Sequence, residues 1–258
     1  MKTPIPSPPG IALITGGGRG IGRAIAEKLA VEGHKVIVAG RNMENLEEVA
    51  GIIDGHAVEM DVSNRESVRG AVYAIQREHG RIDVLVANAG ITDTAPFHKT
   101  SDETFEAVWR TNCAGPFQLV RELLPPMIDA GFGRVVLVAS VAGLTGYPYA
   151  TAYCASKHAL LGMMRAVAKE IASKEGVTIN AVCPGWVRTD MATQVIERIA
   201  TKTGRTPDKA MADLARMSPQ NRLISVEEVA HVVSMLVAFD ARGINGESIA
   251  LDGGQLTG

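Results

Sequence analysis

The sequence predicts an α/β protein built on a single doubly wound parallel sheet of about seven strands with helices on both faces. Three observations lead there. Short β-branched apolar runs recur along the chain, longer segments of helical periodicity separate them, and no charge run, Gly/Ser linker or internal repeat breaks the alternation. Strands are expected at 11–15, 35–39, 56–60, 83–87, 133–139, 177–183 and 248–251, with helices near 20–32, 43–53, 64–79, 102–129, 151–175 and 225–238. Parallel neighbours joined through helices require right-handed crossovers, which place the helices on both faces. Residues 190–218 depart from the pattern as a long, Met-rich, partly amphipathic insertion after the sixth strand, in the position of a substrate lid. Residues 1–10, with four prolines among the first nine, read as a flexible arm without the apolar core of a signal peptide, and 11–258 as one domain.

Composition narrows the function classes. At 46% hydrophobic and 21% charged the 258-residue chain can bury a large core, and its net charge of −2 offers no footprint for nucleic acid or an anionic membrane. The uncharged run 135–156 is long enough to raise the question of a membrane span, but Gly143, Gly146 and Pro148 within it favour a buried strand followed by a pocket-lining loop. Three cysteines (Cys113, Cys154, Cys183) leave an odd thiol and lack metal spacing, so free thiols in a cytoplasmic setting are expected. The six histidines are scattered, and no metal is expected.

The first strand runs into Thr15-Gly16-Gly17-Gly18-Arg19-Gly20-Ile21-Gly22 and then a helix, the context of a dinucleotide-binding turn. Glycine at 16 and 20 lets the backbone turn tightly beside a pyrophosphate, glycine at 22 lets helix and sheet approach, and the pyrophosphate sits at the helix N-terminus. Thr15, Gly16, Gly18, Arg19, Gly20, Ile21 and Gly22 are the expected contacts. At the end of the second strand, where an NAD enzyme places an acid for the ribose hydroxyls, stands Gly40, followed by Arg41 and Asn42. Arg19 and Arg41 could converge on a 2′-phosphate, with charge-assisted bonds worth roughly 1.5–3 kcal/mol each, so NADP(H) is expected in preference to NAD(H). The bland alternative is that both are solvated surface charges.

The Gly-x-x-x-Gly-x-Gly spacing, taken with Asp61-Val62, Asn88-Ala89-Gly90, Asn112, Ser140, Tyr153-Cys154-Ala155-Ser156-Lys157 and Pro184-Gly185, resembles the short-chain dehydrogenase/reductase family over nearly the whole chain, from about Ile11 to Gly254. The resemblance implies a Rossmann fold and a hydride exchanged between nicotinamide and a carbonyl or alcohol. It implies that Asp61 and Val62 frame the adenine, that Asn88, Ala89 and Gly90 support the turn beside it, and that Pro184, Gly185, Val187 and Thr189 line the nicotinamide. Tyr153 is the implied proton carrier, and Lys157, four residues on and so on the same helix face, is implied to hold the nicotinamide ribose.

Bringing a tyrosine from about 10 to working pH asks for about 4 kcal/mol, of which a lysine at ~5 Å offers about 3, leaving an oxidised nicotinamide ring as the second contributor. Ser140, ending the fifth strand, is expected to bond the substrate oxygen with Tyr153; the alternative is a strand-end cap. Asn112, a poor helix former inside 102–129, is implied to hold a water that links Lys157 to solvent; the alternative is a packing or helix-kink residue.

Ala142, Tyr149 and Trp186, with the lid, are expected to form an apolar substrate pocket around Ser140 and Tyr153. Within the family the segment from Asn180 to Val187 and the long lid look like hydroxyacyl dehydrogenases and aromatic-polyketide ketoreductases, so a 3-oxoacyl or related ketone is the first expectation, with a faint excess of basic lid residues hinting at an acyl thioester. A dehydrogenase of cyclic or other secondary alcohols would share these residues. A non-catalytic NADP-sensing or scaffold protein would typically have lost Tyr153 or Lys157. The resemblance also implies a homotetramer paired through the helices at 102–129 and 151–175.

Overall fold

A computed structural model describes residues 10–256, so the proline-rich arm expected at 1–10 lies, apart from Gly10, outside the described residues. Seven parallel strands form one sheet in the order β3-β2-β1-β4-β5-β6-β7: β1 (Ile11–Thr15), β2 (Lys35–Gly40), β3 (His56–Glu59), β4 (Ile82–Ala87), β5 (Gly133–Val138), β6 (Val177–Pro184) and β7 (Ser248–Leu251). This is a Rossmann-like α/β fold. The order reverses between β1 and β4, and the crevice of such a sheet opens at that reversal, beyond the strands' carboxyl ends.

The inner strands are apolar at nearly every position because both of their faces are covered. Alternate residues sort to opposite sides. Leu13, Ile37, Leu85, Leu137 and Ile179 pack toward α3 (Arg65–His79), α5 (Gly115–Asp129) and α6 (Thr151–Glu170). Ile14, Val38, Val86, Val136 and Val182 pack toward α1 (Gly20–Val31), α2 (Met43–Ile53) and α9 (Val226–Val237). Leu, Val and Met at helical spacing supply the opposing surfaces, such as Leu119, Leu123 and Met127 of α5.

Two expected helices are corrected. The segment 102–129 is interrupted: α4 (Asp102–Trp109) ends in a π-turn, Arg110–Ala114, before α5 begins. Asn112 sits inside that turn, and its amide donates to the Ile91 carbonyl and Ser156 Oγ while its Oδ1 accepts from the Ile91 amide. Those bonds draw the extra residue inward, the usual origin of a π-bulge at an inserted side chain. The helix expected to reach 175 ends at Glu170, after which the backbone bonds of Lys174 to Ile171 and Val177 to Lys174 turn the chain into β6. The insertion at 190–218 folds as α7 (Asp190–Thr203) and α8 (Pro207–Ala215), packed on a small core of its own that includes Ile196, Leu214 and Leu223.

Arg134 fastens the edge of the sheet opposite the crevice. It is 1% exposed, and its guanidinium donates to the carbonyls of Gly133, Gly176, Ala238 and Phe239 while stacking on Phe132. Arg134→Met should leave those carbonyls short of donors and cost about 3 kcal/mol or more, read as a lower midpoint in urea unfolding with an unchanged m value.

Candidate functional site

A cleft of about 710 Å³ runs along the carboxyl edge of the sheet. At one end the glycine turn joins β1 to α1. Gly20 adopts φ +52°, a backbone that side-chain-bearing residues rarely take, and a Cβ on Gly22 would fall 2.1 Å from the Gly16 carbonyl oxygen. Arg19 opens α1 without a side-chain cap and no acid stands in the first turn, whereas Asn42, Asn64, Ser101, Thr189, Thr206 and Ser225 cap other helices with their own oxygens. The first amides of α1 therefore carry the partial positive charge of a helix terminus toward the cleft, a fit to a phosphate group.

Of the expected cofactor contacts, Gly16, Gly18, Arg19, Gly20, Ile21, Arg41, Asn42, Asp61, Val62, Asn88, Ala89, Gly90, Pro184, Gly185, Val187 and Thr189 line this cleft. Thr15 and Gly22 do not, which corrects their assignment. Thr15 is buried beneath the turn, its hydroxyl accepting from the amides of Asn88 and Ala89, and Gly22 is pressed on the Gly16 carbonyl. Asn88 returns the tie by donating to the carbonyls of Thr15 and Gly16. Asn42 spends its side chain capping α2. Thr189 does the same for α7. Arg41 lies beside Asp61, whose carboxylate stays below its usual range: burial works against this, but bonds from the Ser63 hydroxyl and amide and the Arg41 charge prevail. Arg19 reaches Asp190 at 3.9 Å.

Farther along, Ser140, Tyr153 and Lys157 meet where β5 ends above α6. Tyr153 and Lys157 stand one turn apart on α6, with the lysine nitrogen 5.6 Å from the tyrosine ring centre. Ser140 stands beside Tyr153, whose phenol feels its hydroxyl, and caps its own turn by accepting from the Ala142 amide, as the strand-end alternative expected. Lys157, 4% exposed, donates to the Val138 carbonyl at 2.9 Å. Asn112 lies just behind the cleft wall, its side chain bonded to Ile91 and Ser156, and its Oδ1 and the Lys157 nitrogen both stand beside Gly90. Ala142, Tyr149 and Trp186 line the far wall. Sequence reasoning missed Asp190, Asn45, Thr92, Thr94 and Thr111, which also line the cleft. Asp190 was the findable one, as the first-turn acid of a helix that Thr189 caps.

A family model described as short chain dehydrogenase matches residues 10–200. The chain belongs to the short-chain dehydrogenase/reductase family. It is an oxidoreductase acting on CH–OH and C=O groups, in a family that uses a nicotinamide cofactor. The chain is 35% identical over 251 residues to an uncharacterized oxidoreductase, YxjF, of Bacillus subtilis, covering 95% of this chain and 97% of that one. It is 35% identical over 246 residues to the 3-oxoacyl-acyl-carrier-protein reductase FabG of Haemophilus influenzae, with the same coverages. Among solved structures, a substituted actinorhodin polyketide ketoreductase crystallised with NADPH superposes with a TM-score of 0.93 at 32% identity, over 97% of this chain and 98% of the other.

The charges of this short-chain dehydrogenase/reductase differ from the arithmetic the spacing suggested. Burial pushes the Tyr153 phenol up to about 12, and its bond from Ser140 only partly offsets that. Burial pulls Lys157 down to about 8. Burial disfavours the charged form of both groups, and at Tyr153 it is the largest influence. The basic lid residues are also mostly spoken for: Arg198 pairs with Asp93, and Arg205 and Arg216 both pair with Asp213. Among the described residues, no cluster of three or more His, Cys, Asp or Glu could hold a metal, and no helix is long and apolar enough to cross a membrane.

An unfolded lysine titrates near 10.5 and Lys157 at about 8, so between those values the unfolded chain binds more protons and stability rises with pH. Below pH 8 the buried charge costs the fold about 3 kcal/mol. Lys157→Met, which keeps the bulk and loses one hydrogen bond, should therefore melt several degrees above the parent at pH 7. The advantage should shrink from pH 8 toward 10.5, as followed by calorimetry.

Proposed function

We propose that this protein is an NADP(H)-dependent ketone reductase whose substrate is of the 3-oxoacyl or polyketide-like type, with Ser140, Tyr153 and Lys157 as its catalytic residues. The observation that carries the reading is the convergence of those three side chains in the cleft that the glycine turn heads. A nicotinamide held between the glycine turn and the Pro184–Thr189 segment supplies the hydride when bound, and the chain's own residues manage the oxygen and the proton. The substrate carbonyl oxygen accepts from the Ser140 and Tyr153 hydroxyls, and Tyr153 gives up its proton as negative charge grows on that oxygen. A phenol held near 12 is fully protonated at neutral pH and so ready as the acid. The Lys157 ammonium, still mostly protonated at pH 7, compensates the tyrosinate that forms.

NADP(H) over NAD(H) is supported by Gly40 in the place of the ribose-binding acid and by Arg19 and Arg41 on the cleft wall. The Arg19–Asp190 pair is two-thirds exposed on both sides, so it holds Arg19 by less than about 1 kcal/mol. A charge-assisted bond to a 2′-phosphate, worth roughly 1.5–3 kcal/mol, outcompetes it. The NADPH in the actinorhodin ketoreductase crystal points the same way. For the substrate, the support is the FabG relative and an apolar wall that includes Trp186, Met191 and Ile199. Oligomerisation as a homotetramer through α4, α5 and α6 is supported by Phe105, Trp109 and Phe117, all partly exposed on α4 and α5. Three free cysteines support cytoplasmic residence.

Two measurements test the reading. Tyr153→Phe keeps the ring but removes the proton, so NADPH should bind with parent affinity by fluorescence titration while ketone turnover falls by orders of magnitude; parent-like turnover would remove Tyr153 from the mechanism. The parent should show a higher kcat/KM for NADPH than for NADH, and Arg41→Ala should lower that ratio by about tenfold or more. A parent that prefers NADH would reverse the cofactor assignment.

A further inference from the structure

Tyr147 lines the cleft on the loop that leads into α6, and its hydroxyl accepts a 2.6 Å hydrogen bond from Nε2 of Gln255. Gln255 arrives there by a built turn. Beyond β7, Asp252 is nearly buried and accepts from the Gly254 amide with one carboxylate oxygen and from the Leu256 amide with the other, each at 2.9 Å. Gly253 and Gly254 both take positive φ. A Cβ at Gly253 would lie 2.3 Å from the Ser218 hydroxyl, so the turn is seated against the end of the lid segment. The chain end is thus folded back to place one amide on one phenol.

A phenol has one proton to donate and lone pairs to accept with. Gln255 occupies the accepting side, and among the described residues no group accepts the Tyr147 proton. Burial, the charge of Asp252 and the neighbouring Cys154 keep this phenol above its ordinary value, so it is a neutral donor wherever the enzyme works. It shares the cleft with the Ser140–Tyr153 pair, which takes up one carbonyl oxygen.

We propose that Tyr147 is a specificity-determining residue whose hydroxyl, oriented by Gln255, donates a hydrogen bond to the second carbonyl of a 1,3-dicarbonyl substrate while the first is reduced. This rests on the reading of the cleft as a ketone-reducing site. The charged side chains of the cleft other than Lys157 are Arg19, Arg41, Asp61 and Asp190, grouped on the glycine-turn side, so a neutral ester or thioester suits the far arm better than a free acid. Gln255 acts through Tyr147 and is a positioning residue.

The test compares ethyl 3-oxobutanoate with 2-heptanone, a chain of the same length lacking the second carbonyl, in the parent, Tyr147→Phe and Gln255→Glu. A glutamate at 255 can only accept, so it turns the Tyr147 proton away from the substrate without removing the ring. Both variants should lose about threefold to tenfold in kcat/KM on the dicarbonyl, mainly through KM, and stay within about twofold of the parent on 2-heptanone. Equal losses on both ketones, or none on the dicarbonyl, overturn the proposal while leaving ketone reduction intact. A parent that reduces neither compound with NADPH or NADH overturns the underlying reading and this proposal with it.

Discussion

Four hydrogen bonds across the seam between β1 and β4 hold the functional edge of this molecule in place. Thr15 accepts from two consecutive amides of the β4 exit, and Asn88 donates to the carbonyls of Thr15 and Gly16. The seam is where a doubly wound sheet changes direction, so the two loops that leave it diverge and nothing in the strand ladders ties them together. The side-chain tie supplies that missing connection. It fixes the glycine turn relative to Gly90, beside which both Asn112 and Lys157 lie, and so links the two ends of the cleft.

The same edge concentrates groups that would each prefer water. Lys157 has the Val138 carbonyl, Tyr153 has Ser140, and each stays uncharged more readily than its free counterpart. In so poorly solvated a space, a charge that does form on one of the two is best compensated by the opposite charge on the other.

Much of this was legible in the chain. The seven strands were read from β-branched runs because, in a sheet covered on both faces, burial and β-propensity ask for the same residues. The Tyr153–Lys157 spacing and the glycine turn were local patterns, and the structure brings them to one cleft. What escaped depends on tertiary contact. The break at 110–114 follows from Asn112 reaching Ile91 and Ser156, partners far away in sequence. Thr15 read as a cofactor contact because it adjoins the glycines, yet its hydroxyl faces Asn88 and Ala89. The tyrosine's resistance to ionisation was missed because spacing reports distance, whereas the shift is set by how much water burial removes.

The π-turn at Arg110–Ala114 has a consequence for how this surface could change over time. One residue more or less in a helix rotates everything beyond it by about 100°. The turn absorbs one extra residue between α4 and α5, so the angular phase of Phe105 and Trp109 relative to Phe117 is set by it. A single-residue deletion there would swing the α4 aromatics around the helix axis and at the same time take Asn112 off Ile91. The outer aromatic face and the inner wall of the cleft are thus geared to one another, and insertions or deletions at this point cannot alter one without turning the other.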